Sequence, residues 1–322
     1  MQKFRIDHSE LSRAILGCDS FVSWLYQGGD SLFRDSKGEL RTSRVFEVMK
    51  VCVNYGVTGI DLSPPLMEVF KRIQAEADKE IVGLGALQEW KCNSFTIDGI
   101  PLESYSKEVK ASIKSKLPHE YLEGLIRSTN PGNSFVKPFF FPDQAASPLS
   151  QAQIDRISIK PDFFIRRLEL YRQLNLELVQ FGGLTADWLV TLGRTDLLER
   201  LSKLIRSKGF TPLLTCHWTS IVLPVAEREL EVAGYIVPLN KSWGMLTLSE
   251  ALGTIKKIEK PIIAMKILSL GALVNDLFGA FEFIFKKANV AAVMVGVSSK
   301  SQAKRTFSTI AKVLRKLEAP NL

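Results

Sequence analysis

Short apolar runs rich in β-branched residues alternate along this chain with longer stretches in which apolar residues recur every three or four positions. Runs of the first kind, bounded by Gly or Pro, suit strands buried on both faces, and the second kind suits the helices that cover them. Eight runs stand out: Ala14 to Phe21, Val57 to Ser63, Glu80 to Leu87, Glu177 to Gly183, Thr211 to Trp218, Gly234 to Asn240, Pro261 to Gly271 and Ala291 to Ser299. Helical spacing covers Ser43 to Tyr55, Met67 to Ala77, Pro161 to Leu174, Asp187 to Ser207, Ile221 to Val232, Thr247 to Ile258, Asn275 to Ala288 and Lys300 to Leu317. In the last of these, Ala303, Phe307, Ile310, Val313, Leu314 and Leu317 stack on one face. Eight strands each followed by a helix close a barrel. The expectation is therefore an α/β fold, a (β/α)8 TIM barrel forming one domain over residues 1–322, with an open doubly wound sheet as its rival.

The third unit breaks the rhythm. Residues 88–157 intervene before its helix, where a few residues are usual. This long insertion after strand 3 contains helical spacing at Tyr105 to Lys114 and His119 to Ser128, a turn at Asn130 to Asn133 and the aromatic run Phe139 to Phe141. Leaving the C-terminal end of a strand, it reads equally as a lid over the barrel mouth or as an oligomerisation arm, which leaves a homo-oligomer open.

Composition narrows the classes. The net charge of +8 is concentrated most densely between Lys300 and Arg315, on a helix whose other face is apolar, which reads as a solvated face and not a nucleic-acid surface. No run of eighteen apolar residues occurs, and the opening MQKFRIDHSELSR has charges where a signal peptide needs an apolar stretch. A cytoplasmic protein without membrane contact is expected. The four cysteines form no CxxC pair, so neither a disulfide framework nor a structural zinc site is indicated.

In a parallel barrel the strand ends of one face converge on the site. The polar residues there are Asp19, Asp61, Glu89, Gln180, His217, Asn240 and Lys266. Lys266, inside the apolar run Ile262 to Leu268, needs a partner if buried, and a desolvated lysine can carry protons or form a Schiff base. Asp61 could set its charge, and His217 could shuttle a proton, since imidazole titrates near neutrality. Asp61, Lys266 and His217 are thus the expected catalytic set, with Asp19, Glu89, Gln180, Asn240 and Trp218 facing a small-molecule substrate. Asp61, Glu89 and His217 could span one divalent ion, but their wide separation argues against a metal site. Gly271 together with Gly296, Ser298, Ser299 and Lys300 would gather N–H groups, hydroxyls and a helix N-terminus around a phosphate, unless the serines simply cap that helix.

The segments Lys260 to Leu268 with Gly271, and Val295 to Ser299, resemble the closing third of the aldo-keto reductases, and Tyr55 to Asp61 resembles that family's second strand. The resemblance implies an NADP(H) site near the helix after strand 8 and an aspartate, Asp61, from an Asp-Tyr-Lys-His catalytic set. Only Asp61 carries over. Leu66 stands five residues on, where the tyrosine belongs; strand 3 ends Leu87-Gln88-Glu89 without the lysine, and strand 4 ends Gln180-Phe181-Gly182 without the histidine. Three functions are therefore expected in competition. The first is an enzyme acting on a small anionic or carbonyl-bearing metabolite through Lys266 and Asp61, with no cofactor assigned beyond the NADP that the resemblance implies. The second is an NADP(H)-dependent oxidoreductase with a rebuilt proton donor, Tyr105 or Tyr121 being candidates. The third is a non-catalytic barrel that binds or scaffolds.

Overall fold

The structure, a computed structural model, describes residues 1–22, 33–87, 93–120, 122–123, 146–174, 176–242, 247–288 and 290–318. The chain begins with an antiparallel hairpin, β1 (Lys3–Ile6) and β2 (Ser9–Ser12), that the charges of the opening segment had concealed. Strand β3 (Ala14–Leu16) follows, then β4 (Gly59–Leu62) and β5 (Val82–Ala86). Within the insertion lie β6 (Phe95–Ile97), β7 (Ile100–Pro101) and β8 (Ile157–Ile159), a small antiparallel sheet. The remaining strands are β9 (Leu178–Gly182), β10 (Thr211–Thr215), β11 (Gly234–Pro238), β12 (Ile262–Met265) and β13 (Ala292–Val295). Strands β3, β4, β5 and β9 to β13 pair in parallel, and β13 returns to β3 with Met294 opposite Ile15, which closes the barrel. All eight expected runs supply its strands.

The expected helices flank the barrel: α2 (Thr42–Asn54), α3 (Met67–Glu76), α6 (Asp162–Arg172), α9 (Thr219–Glu229), α10 (Leu248–Ile255), α11 (Leu277–Lys287) and α12 (Lys300–Glu318), with a short α1 (Asp19–Val22) after β3. The stretch expected as one helix from Asp187 to Ser207 is two, α7 (Leu184–Leu192) and α8 (Thr195–Ser207). Gly193 separates them at φ +79°, a left-handed conformation that stops a helix at little cost only for glycine. Arg194 then donates to the carbonyls of Ile154 and Ile157 at 2.7 and 2.8 Å, tying the break to the end of the insertion. The insertion's own helices are α4 (Ser106–Lys116) and α5 (Gln151–Asp155). Helix α4 packs against α7, and Val109 and Ile113 join the main core. The Phe139 to Phe141 run lies outside the described residues.

A closed barrel sends alternate side chains inward, and here they form a separate core of Ile15, Leu84, Leu178, Leu213, Ile236, Ile263, Ala292 and Met294, joined by Ile6 and Leu11 of the hairpin. The hairpin is thus a plug at the N-terminal end. Gly59 makes room for it, since a Cβ there would stand 3.0 Å from both Leu11 and Ile15. On α12, Ala303, Phe307, Ile310, Val313 and Leu314 are buried as expected, whereas Leu317 is exposed. Lys300 and Lys316 face outward to Glu47 and Glu282. No helix among the described residues is long and apolar enough to cross a membrane.

If the plug completes the inner core, Leu11→Ala should destabilise the protein by about 2–5 kcal/mol in urea unfolding, the range for a buried leucine truncation. A loss below about 1 kcal/mol would show the hairpin to be peripheral.

Candidate active site

Above the apolar layer, the inward positions turn polar. Asp61 on β4 is 5% exposed, and its carboxylate accepts from the Cys18 backbone N–H at 3.1 Å and from the Gln180 side-chain amide of β9. The Gln180 carbonyl oxygen accepts in turn from the Thr215 hydroxyl of β10 at 2.9 Å. The network crosses the barrel interior from β4 to β10. All these donors are neutral, so burial dominates: it raises the Asp61 pKa from 3.8 to about 6, with the charge of Asp19 adding to the rise and the bonds from Cys18 and Gln180 opposing it. Burial, and then the neighbouring carboxylates, also push the Cys18 thiol well above its ordinary range.

Lys266 follows β12 at φ +56°, and Ser269, Leu270 and Gly271 share the left-handed region. For three of these residues that backbone is costly, which marks the loop as held by its surroundings. Burial lowers the Lys266 pKa, and Asp19 is the charge that opposes the fall. Asp19 is carried on α1 directly after β3. Asn240, fully buried, donates from its side-chain amide to the Lys266 carbonyl at 3.2 Å and accepts from the Ser242 N–H at 2.9 Å. It clamps this loop and is not a surface for substrate.

The sharpest arrangement involves a residue the sequence had not singled out. His217, one turn of chain beyond β10, places Nδ1 2.9 Å from Oδ2 of Asp187 on α7. Oδ1 of the same carboxylate accepts the backbone N–H groups of His217 and Trp218 at 2.8 and 3.0 Å. Asp187 is fully buried, while the His217 side chain keeps 15% of its surface exposed. With Nδ1 turned to the carboxylate, Nε2 is the nitrogen available for a substrate. Trp218, expected to face substrate, is fully buried and serves through its N–H in this frame. The only cue to Asp187 in the sequence is an acidic residue in the first turn of a helix after Gly182-Gly183.

Other expectations divide. Ser299 caps α12, its hydroxyl accepting the Gln302 N–H at 3.1 Å, while the Gln302 side chain accepts from the N–H and hydroxyl of Ser298 at 2.8 and 2.9 Å. Lys300 bonds Glu47 at 3.2 Å. The capping alternative thus accounts for both serines. Glu89 and Tyr121 lie outside the described residues, and among the described residues no group of three or more His, Cys, Asp or Glu could hold a metal ion. Tyr171, a tyrosine in reach of the Asp61 charge, packs its ring behind β5, where a Cβ on Gly85 would meet it at 2.6 Å. Its hydroxyl lies 2.8 and 3.1 Å from the carbonyls of Ala86 and Leu62. It is bound to the barrel wall and does not face the interior.

Comparison with solved structures places the barrel. A putative aldo-keto reductase from Pseudomonas aeruginosa superposes with a TM-score of 0.57 at 15% identity, over 97% of this chain and 95% of that one. An aldo-keto reductase from Bacillus halodurans, in its holo form, gives 0.53 at 12% identity over 100% and 98%. The fold is that of the aldo-keto reductases. No family model matches the sequence, and no curated protein matches it. Leu66, five residues beyond Asp61, is sealed in the core, and Gln180 lies in the middle of β9, the fourth barrel strand.

Because folded Asp61 holds its proton more tightly than the unfolded chain does, its contribution to stability falls as pH rises from about 4 to about 6 and is constant above that. Asp61→Asn removes this titration, so its stability relative to wild type should improve between pH 4 and pH 7 by on the order of 3 kcal/mol in urea melts. A pH-independent difference would show that Asp61 is not desolvated as described.

Proposed function

We propose that the protein is an oxidoreductase that interconverts a small carbonyl compound and its alcohol with NADP(H), His217 supplying and recovering the proton. The observation that carries this reading is the His217–Asp187 pair at the mouth of an aldo-keto reductase-like barrel, where the resemblance would put Leu66 in the place of the tyrosine. Structural similarity along nearly the whole chain to proteins described as aldo-keto reductases supports the choice of chemistry.

The chain has features that suit the phosphate end of the cofactor. Gly296 is exposed, and it opens onto the N-terminus of α12, a 19-residue helix whose first turn carries no acidic residue to offset its dipole. Lys300, Lys304 and Arg305 add positive charge there, although Lys300 would have to leave Glu47. When bound, NADP(H) supplies the hydride.

The chain's own groups do the rest. In the direction of reduction, protonated His217 donates from Nε2 to the carbonyl oxygen as negative charge grows on it, and the buried Asp187 carboxylate keeps the ring oriented. The two backbone N–H bonds to Asp187 keep that carboxylate from turning away. Asp61, bonded to Gln180 and Cys18, holds the interior layer and touches no group that moves.

Under this reading His217→Ala lowers kcat for small aldehydes and ketones by about a hundredfold or more, the usual scale of a general acid, and leaves NADPH binding intact in tryptophan fluorescence titration. Asp187→Asn gives a comparable loss. Failure of NADPH to bind the wild-type protein would overturn the proposal. A second reading is favoured by the lowered pKa of Lys266, which would make it a Schiff-base nucleophile. Borohydride with a carbonyl substrate then leaves a covalent mass increase that Lys266→Met abolishes. The oxidoreductase reading expects no adduct, and turnover that survives Lys266→Met.

A further inference from the structure

The dyad does not exhaust the unusual chemistry at the end of β10. Helix α9 begins at Thr219, two residues beyond His217; the Asp187 carboxylate takes the N–H of Trp218 just before it but not those of the first turn. The residue before it, Trp218, makes no side-chain cap, and the first turn contains no acidic residue. The N–H groups of Ile221 and Val222 turn back to the Trp218 carbonyl at 3.0 and 2.8 Å, while those of Thr219 and Ser220 find no acceptor among the described residues. An uncapped helix end leaves donors that water, a side chain or a ligand must satisfy.

A second observation points to a ligand. The Thr219 hydroxyl is fully buried and has no hydrogen-bond partner, and the half-buried Ser220 carries a buried hydroxyl in the same condition. Side chains on a helix lean toward its N-terminus, so these hydroxyls are aimed at the end where the two N–H groups emerge. A buried hydroxyl without a partner is costly, and native proteins rarely tolerate it without a functional reason. Trp188 Nε1, beside Asp187 on α7, is a third buried group without a partner, and α7 packs against α9. Every one of these groups can donate, so what they lack is an acceptor.

We propose that the N-terminus of α9 seats a carboxylate of the substrate, so that the carbonyl presented to His217 belongs to a 2-oxo acid and the alcohol to a 2-hydroxy acid. This rests on the oxidoreductase reading and narrows its substrate class. Two N–H groups and two hydroxyls, without a cation among them, suit a singly charged planar carboxylate better than a phosphate dianion, which is ordinarily met by Arg or Lys. Thr219 follows His217 by two residues, which suits a substrate whose carboxylate and reacting carbonyl are adjacent. In the reduction, the carbonyl carbon gains the hydride and its oxygen gains the His217 proton, while the carboxylate is unchanged.

The test is calorimetric titration of the full-length protein with oxamate, an unreactive 2-oxo acid mimic, with and without NADPH, and with the neutral oxamide as control. Saturable oxamate binding in either condition, absent for oxamide, is expected. Thr219→Val and Ser220→Ala should each weaken it about tenfold or more, the effect of losing a hydrogen bond to a charged group. Circular dichroism melts establish that each variant folds, and Ser220, half-buried, carries the lesser risk. No oxamate binding, or affinity unchanged in both folded variants, would overturn the carboxylate seat. Oxamate binding without NADPH binding would leave the seat standing and remove the oxidoreductase; NADPH binding without oxamate binding would do the reverse.

Discussion

Closure of the sheet is the constraint from which the rest of this structure follows. Once β13 pairs with β3, no strand edge remains in the barrel, and half of each barrel strand's side chains point into a space that water does not fill. That space must be packed. Its lower part is filled by aliphatic side chains and stoppered by Ile6 and Leu11, so polar groups are admitted only where the strands end. Chemistry is thereby confined to one face.

At that face two buried carboxylates are handled in opposite ways. Asp61 receives only neutral donors, and burial leaves its proton hard to remove. Asp187 receives two backbone N–H groups and an imidazole that can itself carry charge. The first arrangement holds strands together, and the second can move a proton. In the function we propose, the aspartate by which the sequence resembles the aldo-keto reductases is a structural one. The role that the family gives to a tyrosine passes, in the function we propose, to a histidine from a different strand.

The barrel itself was legible because strands buried on both faces read as continuous apolar runs, and each expected run supplied one strand. The hairpin was not, since four-residue strands such as Lys3–Ile6 alternate too briefly to outweigh their charges. The break at Gly193 was hidden by apolar residues that continue on both sides of it. His217 and Lys266 could be picked out as polar residues at strand ends, but their partners could not. Whether Asp187 meets His217 depends on the packing of α7 against α9. Pairings of that kind are fixed by tertiary contact and leave no spacing in the sequence.

The central claim is that Asp187 fixes His217 with Nδ1–H toward the carboxylate and Nε2 toward substrate. Nitrogen NMR of the protein labelled with ¹⁵N-histidine tests it directly, because neutral imidazole tautomers differ in which nitrogen bears hydrogen. The account predicts that, at a pH where the rings are neutral, one of the three histidines is in the Nδ1–H form, and that this signal is lost in Asp187→Asn. Should all three rings favour Nε2–H, as free imidazole side chains do, or should the substitution change nothing, the dyad and the mechanism built on it would be contradicted.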